Sequence, residues 1–121
     1  RGIATEFIPT ILLFYAMTGP TKALNYYKKY WSFYETCRNP HMKFNFAMAA
    51  VRFFNNLGDK ETYKMSVTSD FPFYNESNTY NIARLKAYYE NSAIDIAKKM
   101  DARNGNTIYM DKFIRMTKMS E

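Results

Sequence analysis

Residues 3–17 read IATEFIPTILLFYAM and, after Thr18, meet Gly19-Pro20. The stretch holds two threonines, one Glu and one Pro, and residues 11–17 (ILLFYAM) are apolar on every side of a helix. A helix of that kind must be surrounded by protein or by lipid. A spanning helix needs about 20 residues, and at least about 17; Glu6 and Pro9 interrupt the first half of this one. Counting residues 2–18 brings it to the margin for a thin or tilted crossing. Two surroundings therefore stand open: the interior of a helical bundle, or a membrane.

Composition bounds the rest. A chain of 121 residues predicts one domain, residues 1–121, with residues 1–18 as its apolar N-terminal helix. Hydrophobic residues at 47% and charged ones at 23% argue against intrinsic disorder. Eleven Tyr and ten Phe stand against only four Gly and four Pro. That is more large side chains than a small core hides, so some are expected to face a partner or a membrane interface. The net charge of +6 favours an anionic neighbour, whether phospholipid, nucleic acid or acidic protein; the plain alternative is a basic solvated surface. Cys37 has no second cysteine to pair with, which points to a reducing compartment and makes the sequon Asn75-Glu76-Ser77 accidental. The chain opens on Arg1 rather than Met, as after processing or trimming.

Helical signals follow one another along the chain. Pro20 suits a helix start, and a second helix is predicted over residues 20–37, ending before Asn39-Pro40 because the residue before proline leaves helical geometry. Leu24, Tyr27, Trp31 and Tyr34 form its seam, with Tyr26, Tyr30 and Phe33 on neighbouring faces and Lys22, Lys28 and Lys29 among them. A Trp/Tyr/Lys cluster after an apolar run has the composition of an interfacial belt; packing between helices would use the same rings. A third helix, 41–57, carries Phe44, Ala47, Met48, Val51 and Phe54 on one face, with Gly58 as its cap. Asp59-Lys60-Glu61 is read as starting a short helix ending near Val67. Thr68–Ser77 has loop composition, with Phe71, Phe73 and Tyr74 to pin it. The clearest helix, 77–103, repeats Ile82, Leu85, Tyr89, Ala93, Ile96 and Met100 every three or four residues, which makes it the expected internal spine. Asn104-Gly105-Asn106 stops it, and a last helix bears Tyr109, Phe113 and Met116. Asp95–Lys99 and Asp111–Arg115 are supporting i,i+4 pairs. No strict alternation is read, so the fold class is all-α: five to six helices in hairpins or a bundle, with a very apolar N-terminal helix.

Chemistry-bearing motifs are scarce. Cys37 and His41 stand four apart, a spacing that would let them hold a metal or act as nucleophile and base, but Pro40 interrupts their shared face. The carboxylates Glu61, Asp95 and Asp111 sit beside Lys64, Lys99 and Arg115 in salt-bridge spacing. There is no P-loop, dinucleotide fingerprint or zinc-protease motif. No enzyme, catalytic residue, metal or cofactor is implied. Residues 26–31 (YYKKYW) interleave Lys with Tyr as an RNA-binding surface does, but the basic residues are spread over the whole chain rather than gathered on one helix face, which disfavours nucleic acid.

The order of residues 3–17 and then 26–31 resembles that of accessory subunits of mitochondrial inner-membrane complexes. That resemblance implies a non-catalytic structural subunit of a respiratory-chain or ATP synthase complex at the mitochondrial inner membrane. Residues 19–27 (GPTKALNYY) and 53–61 (FFNNLGDKE) are also similar to tetratricopeptide-type hairpins, which implies a soluble cytoplasmic adaptor. Against that second likeness, Gly19 and Gly58 lie 39 residues apart (58 − 19), where the repeat has about 34. The expected partners are other protein subunits and phospholipid. Phe7, Ile11, Leu12, Leu13, Phe14, Tyr15, Tyr26, Tyr27 and Trp31 are the expected membrane or partner contacts, and Lys22, Lys28 and Lys29 the basic ones.

Overall fold

Pro9 and Pro20 both stand in the first turn of a helix, where the missing N–H removes no hydrogen bond. The computed structural model describes residues 4–58 and 60–118. A 3-10 turn, Thr5–Phe7, leads into α1 (Ile8–Thr18), α2 (Pro20–Thr36) and α3 (Pro40–Asn55). The strands β1 (Thr62–Lys64) and β2 (Thr79–Asn81) follow, then α4 (Ile82–Asn104) and α5 (Ile108–Thr117). Among the described residues the architecture is predominantly all-α, with the two strands forming one small antiparallel sheet.

The centre of the domain is α3. It packs against α1, α2, α4 and α5. Phe44, the run from Phe46 to Val51, and Phe53 and Phe54 are all buried. Ala47, Ala49 and Ala50 let neighbouring helices come close on several sides, and the Phe rings fill the spaces between them. The polar residues of its last turn, and Asn56 just after it, serve the ends of other helices. Asn56 Nδ2 donates to Ala16 O at 2.6 Å, Arg52 Nη1 to Met116 O at 3.1 Å and Asn55 Nδ2 to Thr117 O at 2.5 Å. The otherwise orphaned carbonyls at the ends of α1 and α5 are thereby partly satisfied.

Around α3 the core is aromatic. Tyr27 of α2 lies 5.5 Å from Phe54 and 6.0 Å from Tyr89, edge-on in both cases. The Tyr27 and Tyr89 hydroxyls share a hydrogen bond of 2.8 Å within the core, as buried phenols require. Phe71 pins the long loop by contacting Trp31 at 5.1 Å and Tyr80 at 5.4 Å, and Phe73 rests edge-on against Tyr88. Tyr74, in contrast, is exposed.

Four sequence expectations are corrected. The short helix expected up to Val67 is absent across its described part: β1 lies there, paired Thr62↔Asn81, Tyr63↔Tyr80 and Lys64↔Thr79; Asp59 lies outside the described residues. The physical reason is visible in residues 62–68 (TYKMSVT). Tyr63, Met65 and Val67 turn inward while Thr62, Lys64, Ser66 and Thr68 are exposed, which is the period of two of a half-buried strand. Second, α4 begins at Ile82 rather than residue 77, because β2 occupies 79–81 and the Asn81 side chain caps the helix by accepting from Arg84 N at 2.9 Å. Third, the buried seam of α4 runs Leu85, Tyr89, Ala93, Ala97 and Asp101, with Ile96 only half-buried. Similarly, Ala23 rather than Leu24 belongs to the buried row of α2. At the end of α4, Gly105 takes the left-handed conformation at φ 70°.

Candidate docking surface

Helical spacing splits α1 into two faces. Ile8, Leu12 and Ala16, at i, i+4 and i+8, are buried together with Pro9. Phe7, Ile11 and Phe14, at i, i+4 and i+7, point the other way, with Met17 beside them. Phe7 is 53% exposed, Phe14 60% and Met17 49%. Thr10 and Thr18 complete this side within α1, and the exposed Glu6 precedes Phe7 in the 3-10 turn. α1 is 11 residues long, and among the described residues no helix is long and apolar enough to cross a membrane.

A line of rings continues from α1 onto α2. Phe14 contacts Tyr15 at 5.8 Å, Tyr15 meets Tyr26 edge-on at 5.7 Å, and Tyr26 contacts Tyr30 at 4.5 Å. Lys22 lies over the Tyr15 ring at 5.8 Å and Lys29 over Tyr30 at 5.4 Å, close enough for a cation–π attraction. The Tyr26 hydroxyl is shut off from solvent and has no partner among the described residues. Burial, and then the neighbouring Tyr30 and Tyr15, push its pKa up to about 12.

Three open grooves follow this line and share residues. The first, about 390 Å³, runs from Phe14 and Tyr15 past Gly19-Pro20 to Lys22. The second, about 290 Å³, shares Tyr15 and Lys22 and adds Asn25, Tyr26 and Lys29. The third, about 500 Å³, shares Asn25 and Lys29 and reaches Lys28 and Ser66–Thr68. They form one shallow basic and aromatic trough, without the enclosure that a small-molecule site needs. From Phe7 to Tyr34 the chain contains no Asp or Glu. Glu35, the next carboxylate, is turned towards α4, where its oxygens lie 2.8 and 2.9 Å from the Tyr88 hydroxyl.

Of the expected contact residues, the structure brings Phe7, Ile11, Phe14, Tyr15, Tyr26, Lys22, Lys28 and Lys29 to this side of the molecule. Leu12 and Tyr27 are completely buried and Trp31 nearly so; they are core residues, because they face α3 or Phe71 rather than solvent. Leu13 is half-buried against the core. Met17, the last residue of the apolar run 11–17, and Tyr30, within the aromatic belt, also join this side. Their spacing was the available signal: Met17 stands three residues after Phe14, and Tyr30 four after Tyr26.

Other polar clusters satisfy themselves. The Nδ1 of His41 is 2.8 Å from the Tyr109 hydroxyl and its Nε2 is 3.1 Å from Asn45 Nδ2, while the Cys37 thiol points to Asn39 O. Neither residue is engaged with the other. A groove of about 280 Å³ beside Arg84 is lined by Asn75, Thr79 and Asn81. Their side chains are spent on the local turn and on the start of α4. The Asn75 amide of the sequon is one of these. Among the described residues no group of three His, Cys, Asp or Glu is placed to hold a metal.

No protein-family model matches the chain, and no curated protein or solved structure is significantly similar to it.

Proposed function

We propose that this chain is a non-catalytic helical accessory subunit of a larger membrane-associated assembly, attached through the outward side of α1 and the first half of α2. One observation carries the reading. Phe7, Phe14 and Met17 are exposed on one side of α1 and the turn that leads into it, a grouping of large apolar side chains that suits an interaction site. The mechanism is recognition: the apolar side chains are covered, and the lysines meet acidic groups of whatever covers them. A setting at the mitochondrial inner membrane, in a respiratory-chain or ATP synthase complex, rests on the resemblance carried by residues 3–17 and 26–31.

Native gel analysis of cell membranes, with alkaline carbonate extraction in parallel, tests this. The wild-type chain should migrate in a large complex, sediment with membranes at neutral pH and be released by carbonate, as a chain attached without a crossing helix is. The double variant Phe7→Ser/Phe14→Ser should leave the complex while its thermal unfolding is nearly unchanged, because both side chains are largely exposed. A wild-type chain that migrates as a free monomer would overturn the proposal.

A further inference from the structure

We infer that the cover of the α1–α2 face is the headgroup layer of an anionic phospholipid bilayer, on which the domain lies without crossing it. This rests on the attachment face just proposed and names its occupant. Phe7 and Met17 are exposed and line none of the grooves described above, and Phe14, at the end of the first groove, is itself 60% exposed. Protruding apolar side chains suit a deformable acyl and headgroup boundary, into which an interfacial helix sinks by about 5–10 Å. Phe14 contacts the ring of Tyr15, and Tyr30 follows on α2 beyond Tyr26, whose own hydroxyl is enclosed; tyrosine is the residue type that settles at headgroup level.

Charge selects the lipid. Lys22, Lys28 and Lys29 line the connected trough, and no carboxylate belongs to the chain between Phe7 and Tyr34. Glu6 before Phe7 and Asp70 beside Thr68 flank the trough, but its own lining holds three lysines and no carboxylate; such a lining close to an apolar strip attracts phosphatidylserine-like headgroups and gains little from neutral ones. An acidic protein would satisfy the lysines, but it would also have to bring an apolar pocket for each of the three protruding side chains. A single-stranded nucleic acid would stack on the rings and leave Phe7 and Met17 in water.

The test is sedimentation of the full chain with vesicles of phosphatidylcholine, alone or mixed with phosphatidylserine. Binding should require the anionic lipid and weaken as salt is raised. Each of Lys22→Ala, Lys28→Ala and Lys29→Ala should weaken it by about fivefold, and the triple variant by on the order of a hundredfold. Phe14→Ser should lower it by on the order of tenfold, with circular dichroism and melting temperature retained in all variants. Equal binding to neutral vesicles, no binding, or tighter binding to polyglutamate or single-stranded RNA would overturn the inference. The two proposals fail separately. If vesicles do not bind but Phe7→Ser/Phe14→Ser still empties the native complex, the face binds protein and only the lipid assignment falls. If vesicles bind but the chain is free in native gels, the subunit reading falls and the lipid face stands.

Discussion

Helices α1 and α3 exchange the roles that their compositions suggest. Residues 11–17 within α1 are apolar without a break, whereas α3 contains His41, Lys43, Asn45 and Arg52. Yet α1 leaves Phe14 and Met17 exposed, and α3 is buried from Phe46 to Val51 without interruption. The difference comes from neighbours. α3 has helices on several sides and small residues that admit them, while α1, among the described residues, packs chiefly on α3 and α2. Apolar composition says that a helix tolerates burial; the number of neighbours decides whether burial happens.

The largest effects should come from truncations on the fully surrounded side. Phe54→Ala should cost about 3–5 kcal/mol in urea unfolding, and Leu12→Ala, on the inner face of α1, about 2–5 kcal/mol. A mild Leu12→Ala would mean that α1 is loosely docked and that the contrast between its two faces is false.

Next comes the buried phenol pair. Tyr27→Phe should cost about 1–3 kcal/mol, because it leaves the Tyr89 hydroxyl unpaired in the core. The double variant Tyr27→Phe/Tyr89→Phe should cost less than the sum of the single changes. Strict additivity in that cycle would show that the hydroxyls do not share a bond.

The same tyrosines set an alkaline limit. Burial raises the pKa of Tyr27 and Tyr89 well above that of a free phenol, and raises Tyr26 to about 12. Below pH ~10 these phenols are neutral in folded and unfolded chains alike, so their contribution is intact. Above that pH the unfolded chain ionises first, and stability is lost as pH rises towards the folded values. Ultraviolet titration should therefore show part of the tyrosine ionising together with unfolding. A single reversible step at the free-phenol pKa, with the fold retained, would contradict this.

A smaller effect is expected at Asp101. Its carboxylate oxygens accept from Tyr109 N at 2.9 Å and Met110 N at 3.0 Å, so it caps the start of α5 from the last turn of α4. Thr107, the residue in the usual capping position, makes no side-chain cap. Asp101→Ala should cost about 0.5–2 kcal/mol, the range for a lost N-cap. Faster hydrogen exchange should be confined to α5, and a uniform increase over the domain would mean that Asp101 supports more than this helix.

The smallest effect belongs to the exposed face of α1. Phe14→Ala should change stability within about 0.5 kcal/mol, while reducing attachment to whatever covers that face. A large loss of stability would show that Phe14 belongs to the core and would remove the docking surface altogether.

Much of the helical layout was legible in the residues. Pro20, the Asn39-Pro40 step and the glycines at 58 and 105 punctuate the chain because they act through local backbone geometry. The β1–β2 hairpin was also present, in the alternation of Tyr63, Met65 and Val67, but the acidic start at residues 59–61 suggested a helix. Among the surface residues, Phe7, Phe14 and the three lysines could be named from composition. Leu12, Tyr27 and Trp31 could not be separated from them, because an aromatic seam has the same spacing whether it faces solvent or another helix.

By itself the sequence determined an all-α chain, its approximate helix limits, its basic character and its surplus of large rings, since those depend on periodicity, turn residues and charge. Tertiary structure alone decided which helix is central, which side of α1 is covered, and that Asp101 caps α5. Those outcomes depend on contacts between residues far apart in the chain, and no local pattern records which neighbours a helix will have.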